Sequence, residues 1–305
     1  MQIIYPSDYF NLNRVDENYE DEFNWASDNG VKCVLLSSQH LLDSKIKLSG
    51  NLEAHAPVIW RGWMLKQKEY KTLYNTVKSH SAEMLVSPDD YASCHYITGW
   101  YGTCSDYTPE TILLTENDDF EKITSRLKWP SYFVKDYVKS LTTSRGSIAK
   151  NAEEIQGILA HIKQYRGEIE GGVVLRKVED LKPETERRYF SFYGNVYSAD
   201  DVIPAIVHEI AKHISSPFFS IDMVETASSN LRLIEIGDGQ VSDIKEWDVQ
   251  KFVKMIVKAS VSGWVCFNIS LVLSLQDMRL KVWIKLTIYI LVFLNSKLYK
   301  RCAKL

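Results

Sequence analysis

The sequence predicts an α/β protein whose later part is α+β, and three patterns carry that expectation. Apolar strand segments alternate with helical periods over the first 85 residues, which implies a parallel sheet. Gly194-Asn195 lies between two apolar runs, a hairpin signal. Residues 218–243, FFSIDMVETASSNLRLIEIGDGQVSD, read as two apolar strands joined by a polar turn, Ala227 to Asn230. Each of these two strands carries a carboxylate where a core strand carries Val or Ile: Asp222 in the first, Glu235 in the second. Burying one such charge is costly unless it is paired or bound to a metal. Two on neighbouring strands point to a cation between them. Hard oxygen ligands suit Mg²⁺, which takes one or two carboxylates and completes its shell with water and phosphate.

Composition bounds the function. With 305 residues, 45% hydrophobic and 25% charged, the chain is expected to be globular, with length for two domains or one large one. A net charge of −3 and the lack of a basic stripe interleaved with aromatics argue against nucleic acid as a partner. The five cysteines, Cys33, Cys94, Cys104, Cys266 and Cys302, form no CxxC pair. They are read as reduced thiols of a cytoplasmic protein, with neither a zinc site nor a disulfide framework. The amino terminus has no basic segment leading into an apolar one, so a secretory signal is not expected.

The elements follow in order. Gln2 to Tyr5 is a short strand closed by Pro6, residues 16–29 are an acidic helix stopped by Gly30, and Val31 to Leu36 is the next strand. Pro57 to Trp60 is a third strand, followed by a helix over 66–79. No GxGxxG follows the first strand, which disfavours a dinucleotide site. Arg61, in Trp60-Arg61-Gly62-Trp63, stands at the carboxyl end of the third strand, where open α/β sheets bind ligands. Two readings are open there: a grip on a substrate carboxylate or phosphate, or a surface turn with two packing tryptophans. Residues 87–110 have little periodicity and read as a linker rich in Tyr, Ser and Gly, its tyrosines suited to inter-domain packing. A helix follows at 117–127. The β segment from Trp129 to Ser140 puts Lys135 and Lys139 on one side of the strand. Either an anion such as a triphosphate lies between them or they are solvated lysines on an edge.

The loop 141–147, LTTSRGS, has the composition of a phosphate-covering loop and equally of an ordinary one. A helix over 151–165 precedes a buried strand, 171–178, and a second strand over 186–193. In that strand Arg188 shares a face with Phe190 and Phe192 and wants an anion, whereas Arg187 points to solvent. His208 and His213 are five apart on a helix over 202–214 and so do not align as a metal pair. Gln240 and Ser242, just past the second carboxylate strand, either line an acceptor site or are plain polar loop residues.

Taken in order, VKDYVKS, GGVVLRKV, ERRYFSFYG, FFSIDMVE and LRLIEIGDGQVSD resemble the ATP-grasp superfamily, and more narrowly its clade named for one arginine and two lysines. The resemblance spans residues 1–257. It implies a Rossmann-like pre-grasp domain over 1–86, then an ATP-grasp fold of two α+β lobes over 87–258. It implies ATP and Mg²⁺ as cofactors. Asp222 and Glu235 match the metal ligands; Gly237 stands where the superfamily often has Asn, and Asp238 is the candidate substitute. Lys135 matches the phosphate-binding lysine, with Lys139 as the second. The strand 173–177 matches the inter-lobe hinge, so the backbone of Val174 and Leu175 would recognise adenine and Arg176 would face nucleotide or acceptor. Arg188 matches the arginine that stabilises the transferring phosphoryl group. Arg61, Tyr101 and Ser144–Ser147 are candidates for the acceptor pocket. The implied chemistry joins a small-molecule or peptide carboxylate to an amine, or to a thiol, through an acyl phosphate, with Arg188, Lys135 and Arg176 as the catalytic set. The alternative is an inactive module of the same fold that binds nucleotide or a partner.

Residues 259–305 differ from the rest. They hold seven Lys/Arg against one acid, Asp277, a net +6 that leaves −9 on residues 1–258. Their two apolar runs, 259–275 and 282–294, are shorter than the roughly 20 residues that span a bilayer. Three readings stay open: a membrane-associated hairpin or anchor that would tether the protein peripherally, a pair of core helices, or an extension foreign to the body.

Overall fold

The computed structural model describes residues 1–37, 46–138 and 146–258. The expectations resting on Lys139, Ser144, Arg145 and the tail 259–305 lie outside the described residues.

The amino-terminal part is a four-stranded, all-parallel sheet in the order β2-β1-β3-β4, made of β1 (Gln2–Pro6), β2 (Lys32–Leu36), β3 (Pro57–Trp60) and β4 (Glu83–Met84). Its helices are α1 (Glu20–Asp28) and α2 (Gln67–Ser79). The first turn of α1 is acidic (Glu20, Asp21, Glu22), which suits the positive end of the helix dipole. Helix α2 begins where the Lys66 backbone N–H donates to the Glu69 carboxylate (2.8 Å), and it buries Tyr70, Leu73 and Val77 along one stripe.

Two antiparallel sheets follow. One has the order β5-β8-β6-β7, from β5 (Thr111–Leu114), β6 (Tyr132–Asp136), β7 (Ile148–Ala149) and β8 (Val173–Lys177). The other has the order β10-β9-β11-β12, from β9 (Leu181–Phe192), β10 (Asn195–Tyr197), β11 (Phe218–Thr226) and β12 (Leu231–Asp238). The Gly194-Asn195 hairpin and the 227–230 turn both form as the pattern predicts.

Residues 87–110 are not a linker. They form α3 (Pro88–His95) and α4 (Ile97–Cys104). The start signal is local: Ser87 accepts the Asp90 backbone N–H (3.1 Å) and Pro88 occupies the first turn. Gly99 is what hides α4 from a periodicity count. A Cβ there would come within 2.2 Å of the Ser93 carbonyl oxygen, so the close approach of the two helices requires glycine. Helices α5 (Phe120–Leu127) and α6 (Ala152–Arg166) pack on the first antiparallel sheet, and the short α7 (Ala205–Ala211) packs beside the second. A final helix, α8, covers 249–258. Among the described residues no helix is long and apolar enough to cross a membrane.

Arg61 fits neither reading of its turn. It is buried, and its Nε and Nη2 donate to the two oxygens of Glu22 in α1 at 2.9 and 2.7 Å. Its Nη1 donates to the carbonyls of Gly239, Gln240 and Ser242 at 3.2, 2.9 and 2.9 Å. Burial alone would lower its pKa, but the charge and hydrogen bonds of Glu22 outweigh that and hold it above its ordinary value. Arg61 therefore ties the loop after β12 to the parallel sheet, its three nitrogens all spent on oxygens of the protein itself. Replacing it with Met leaves Glu22 buried without its cation. Arg61→Met is expected to cost roughly 3–5 kcal/mol in equilibrium denaturation, with Arg61→Lys recovering only part because it cannot reproduce the fork.

Candidate functional site

The strand register brings the two predicted carboxylates face to face: Asp222 of β11 is the cross-strand partner of Glu235 of β12, and on its other side of Arg188 of β9. Like charges directly opposite are destabilising unless compensated, and here each carboxylate has a cation. Arg188 forms a bidentate pair with Asp222, Nε to Oδ1 and Nη2 to Oδ2, both 2.7 Å. Lys135 arrives from β6 of the neighbouring sheet and donates to Glu235 Oε1 at 2.5 Å. The result is a row, Arg188–Asp222–Glu235–Lys135, running across three strands and onto a second sheet.

A third cation carries no signal in the sequence. Lys245, in the loop after β12, donates to Asp222 Oδ2 at 3.0 Å and also contacts Glu186. Burial raises the Asp222 pKa, but the hydrogen bonds of Arg188 and the charges of Arg188 and Lys245 outweigh it and hold the carboxyl below its usual range. Arg188 is fixed further by donating to the Asp243 carbonyl at 2.6 Å, and its own backbone N–H donates to Glu246 at 2.8 Å.

Beside the row lies a cavity of about 190 Å³, lined by Arg188, Asp222, Glu235, Gly237, Ser220, Ser242, His95 and Met64 among others. Gly237 leaves room that its neighbours have taken: a Cβ there would stand 2.8 Å from Ser220 Oγ and 3.0 Å from Ser242 Oγ, and those hydroxyls bond each other at 2.8 Å. Ser242 thus lines the cavity, whereas Gln240 does not. Gln240 is buried, donates to the Tyr70 hydroxyl (2.8 Å) and accepts the Trp60 backbone N–H (3.1 Å).

Other predicted residues have other partners. Asp238 lines the same cavity as Asp222 and Glu235 but forms no pair with them. It lies an odd number of positions beyond Glu235, so strand alternation turns it to the opposite face. There its Oδ1 accepts from the Gln240 backbone N–H (3.0 Å) and from Gln240 Nε2 (3.2 Å), and Oδ2 is buried without a partner. Desolvation pushes its pKa up to about 7. The backbone of Val174 and Leu175 is also unavailable for adenine: β8 is paired with β5 on one side and β6 on the other through these residues. Arg176 is buried, donates to Thr111 Oγ1 (3.2 Å) and the Ile234 carbonyl (2.7 Å), and keeps Nη2 without a partner. Desolvation lowers its pKa. Tyr101 holds the start of β5, donating to the Thr111 carbonyl (2.9 Å) and accepting the Thr111 N–H (3.1 Å). Ser147 is buried, and its carbonyl accepts the Val134 N–H (2.7 Å). Among the described residues no group of three or more His, Cys, Asp or Glu gathers as a metal centre, so the protein's donors at the row are the two carboxylates.

This chain belongs to an ATP-grasp family: residues 75–256 match the model of an ATP-grasp domain, the third family of the clade named for one arginine and two lysines. Its fold is shared by several solved ligases. D-alanyl-alanine synthetase A from Vibrio cholerae superposes with a TM-score of 0.56 at 12% identity, covering 87% of this chain and 98% of that one. D-alanine–D-alanine ligase from Bacillus anthracis complexed with ATP gives 0.53 at 14%, covering 86% and 97%. The ATP-grasp ligase PsnB, complexed with minimal precursor, Mg and ADP, gives 0.53 at 11%, covering 85% and 98%. At such identities the likeness is one of fold. No curated protein sequence matches the chain.

Asp238 yields a test of this geometry. An unfolded Asp titrates at about 4, whereas burial in the folded chain pushes the Asp238 carboxyl up to about 7. Between these values the unfolded chain has released a proton that the folded chain keeps, so the Asp238 contribution to stability falls as pH rises through that window. Asp238→Asn removes the penalty. Its stability relative to wild type is expected to rise from pH 4.5 to pH 8 by about 3 kcal/mol, read as a rising Tm difference. A difference that stays flat with pH would contradict the burial of an unpaired carboxyl.

Proposed function

We propose that this protein is an ATP-dependent ligase that joins a carboxylate to an amine or thiol through an acyl phosphate, releasing ADP and phosphate. The observation that carries the reading is the row Arg188–Asp222–Glu235–Lys135, whose first three members line a cavity of about 190 Å³. Two carboxylates flanked by two fixed cations are what transfer of a highly charged phosphoryl group needs, because that chemistry asks for positioning and charge compensation more than for covalent help. Solved structures of the same fold include one complexed with ATP and one with Mg and ADP, which supports nucleotide and Mg²⁺ as what this cavity takes. Under the same reading residues 1–86 are the pre-grasp domain and 87–258 the grasp domain.

The donor set fits Mg²⁺. Asp222 and Glu235 are cross-strand partners on one face, and the hydroxyls of Ser220 and Ser242 line the same cavity. Asp222 and Glu235 would hold the ion, whose chemistry is to neutralise phosphate oxygens and orient the transferring group. The chain's own side chains do the rest. Arg188 and Lys135 bring N–H donors to charge that develops on the phosphoryl group, with Arg188 aimed by its bonds to Asp222 and to the Asp243 carbonyl. The substrate carboxylate attacks the terminal phosphorus and ADP leaves. An amine then attacks the acyl carbon and phosphate leaves. Lys135 is buried and poorly hydrated, and its ammonium is held beside Glu235 Oε1.

Calorimetry of the full chain tests the reading directly. ATP should bind in a Mg²⁺-dependent way, and Glu235→Ala should abolish or greatly weaken that dependence. Absence of binding by the folded wild type would refute the assignment. In an ADP-release assay with pooled carboxylates and amines, Lys135→Ala and Arg188→Ala are each expected to lose about 10²–10³ in rate. Full turnover by either variant would exclude its proposed role.

A further inference from the structure

Lys245 is, among the described residues, a cation at the row that nothing in the proposed chemistry uses. Asp222 is almost fully buried, with 5% side-chain exposure, and three charged N–H groups converge on it: two from Arg188 at 2.7 Å and one from Lys245 at 3.0 Å. A divalent ion bound there needs an oxygen lone pair of Asp222 free of donors. The two cations differ in how readily they can yield one. Arg188 sits on the strand directly across from Asp222, has 11% side-chain exposure and is tied to the Asp243 carbonyl as well. Lys245 reaches in from a loop on a four-carbon stem, its side chain is 29% exposed, and it already touches a second carboxylate, Glu186. It can therefore give up Asp222 without being left unpaired.

The loop is built to present that ammonium. Lys245 has φ +45°, in the left-handed region that residues with a Cβ rarely adopt, and its backbone N–H is held by Asp243 Oδ1 at 2.5 Å. The Trp247 N–H donates to the Ile244 carbonyl at 2.9 Å, closing the turn around it.

We propose that Lys245 is a built-in competitor of the divalent cation at Asp222, so that the chain sets its own metal affinity below what its two carboxylates would reach alone. The inference rests on the ligase reading to the extent that the metal is taken at Asp222. An ammonium about 3 Å from a carboxylate oxygen repels a cation bound to that oxygen, and the two cannot share it. Lys245 would withdraw to Glu186 when the metal arrives. The sign of the mutational effect separates this role from a structural one. Removing a residue that merely steadies Asp222 weakens metal binding, and removing a competitor tightens it.

The experiment is calorimetric titration of the full chain with Mn²⁺ alone, for wild type, Lys245→Met, Lys245→Gly, Lys245→Arg and Asp222→Asn, each first shown to be folded by a cooperative thermal transition. Glycine suits the left-handed backbone and methionine keeps the stem, so one variant covers for the other if folding fails. Tightening of about tenfold in the Met and Gly variants, with Arg close to wild type and Asn without binding, is the expected pattern. Measurable binding by Lys245→Met where wild type shows none would equally support the competition. Wild-type binding that Asp222→Asn abolishes and Lys245→Met leaves unchanged or weaker would overturn the competition while leaving the metal site of the ligase reading intact. Absence of Mn²⁺ binding in every protein, the Lys245 variants included, would overturn the competition alone, because under the ligase reading the metal can arrive with the nucleotide phosphates.

Discussion

Two carboxylates held directly opposite each other on adjacent strands set the terms for the rest of this structure. Asp222 and Glu235 repel at that spacing, and Asp222 is nearly cut off from water. The strands can carry them only because cations arrive from three other places: Arg188 from the third strand of the same sheet, Lys135 from a different sheet, and Lys245 from the loop beyond. The need for charge compensation is thus also a constraint on assembly. Lys135 reaches Glu235 only when the sheet of β6 and β8 lies against the sheet of β11 and β12, and Arg176 adds a second tie by donating to the Ile234 carbonyl.

The parallel sheet takes part through a different set of bonds. Arg61 binds three carbonyls of the loop after β12 while its other face is neutralised by Glu22, and Gln240 of the same loop bonds Tyr70 and the backbone of Trp60. That loop carries Ser242 and Asp243 on the cavity wall and leads on to Lys245. The amino-terminal sheet therefore stands behind the site as its anchor, and Arg61 serves the fold instead of a ligand. A buried guanidinium held by several carbonyls and one carboxylate is a rigid fastening, because breaking any part strands another polar or charged group.

Much of this is legible in the order of residues, for reasons tied to particular segments. Period-two apolar runs with turn chemistry at Gly194-Asn195 and at 227–230 identify the antiparallel strands, and a carboxylate inside each of two such runs marks Asp222 and Glu235. Arg188 is legible because an arginine on the face of Phe190 and Phe192 has to meet an anion. The misreadings have equally physical causes. Helices α3 and α4 read as linker because Gly99 and Gly102 break the periodicity, although Ser87 and Pro88 announce the start. Asp238 looks like a ligand when proximity in sequence is weighed above the alternation that turns it away from Glu235. Val174 and Leu175 match the inter-lobe hinge by resemblance, and only the pairing of β8 with both β5 and β6 shows that their backbone is taken.

By itself the sequence determined the family, the strand-borne carboxylates and the cations Lys135 and Arg188, since these depend on local pattern and on the cost of burying charge. Only the tertiary structure decided which charges meet. The Lys135–Glu235 pair is separated by 100 residues and the Arg61–Glu22 pair by 39, and such partners are selected by the packing of whole sheets, which no local spacing encodes. Lys245 shows the difference most clearly: in the sequence it is one lysine in a charged loop, and it gains a role only because a left-handed turn after β12 delivers its ammonium to Asp222.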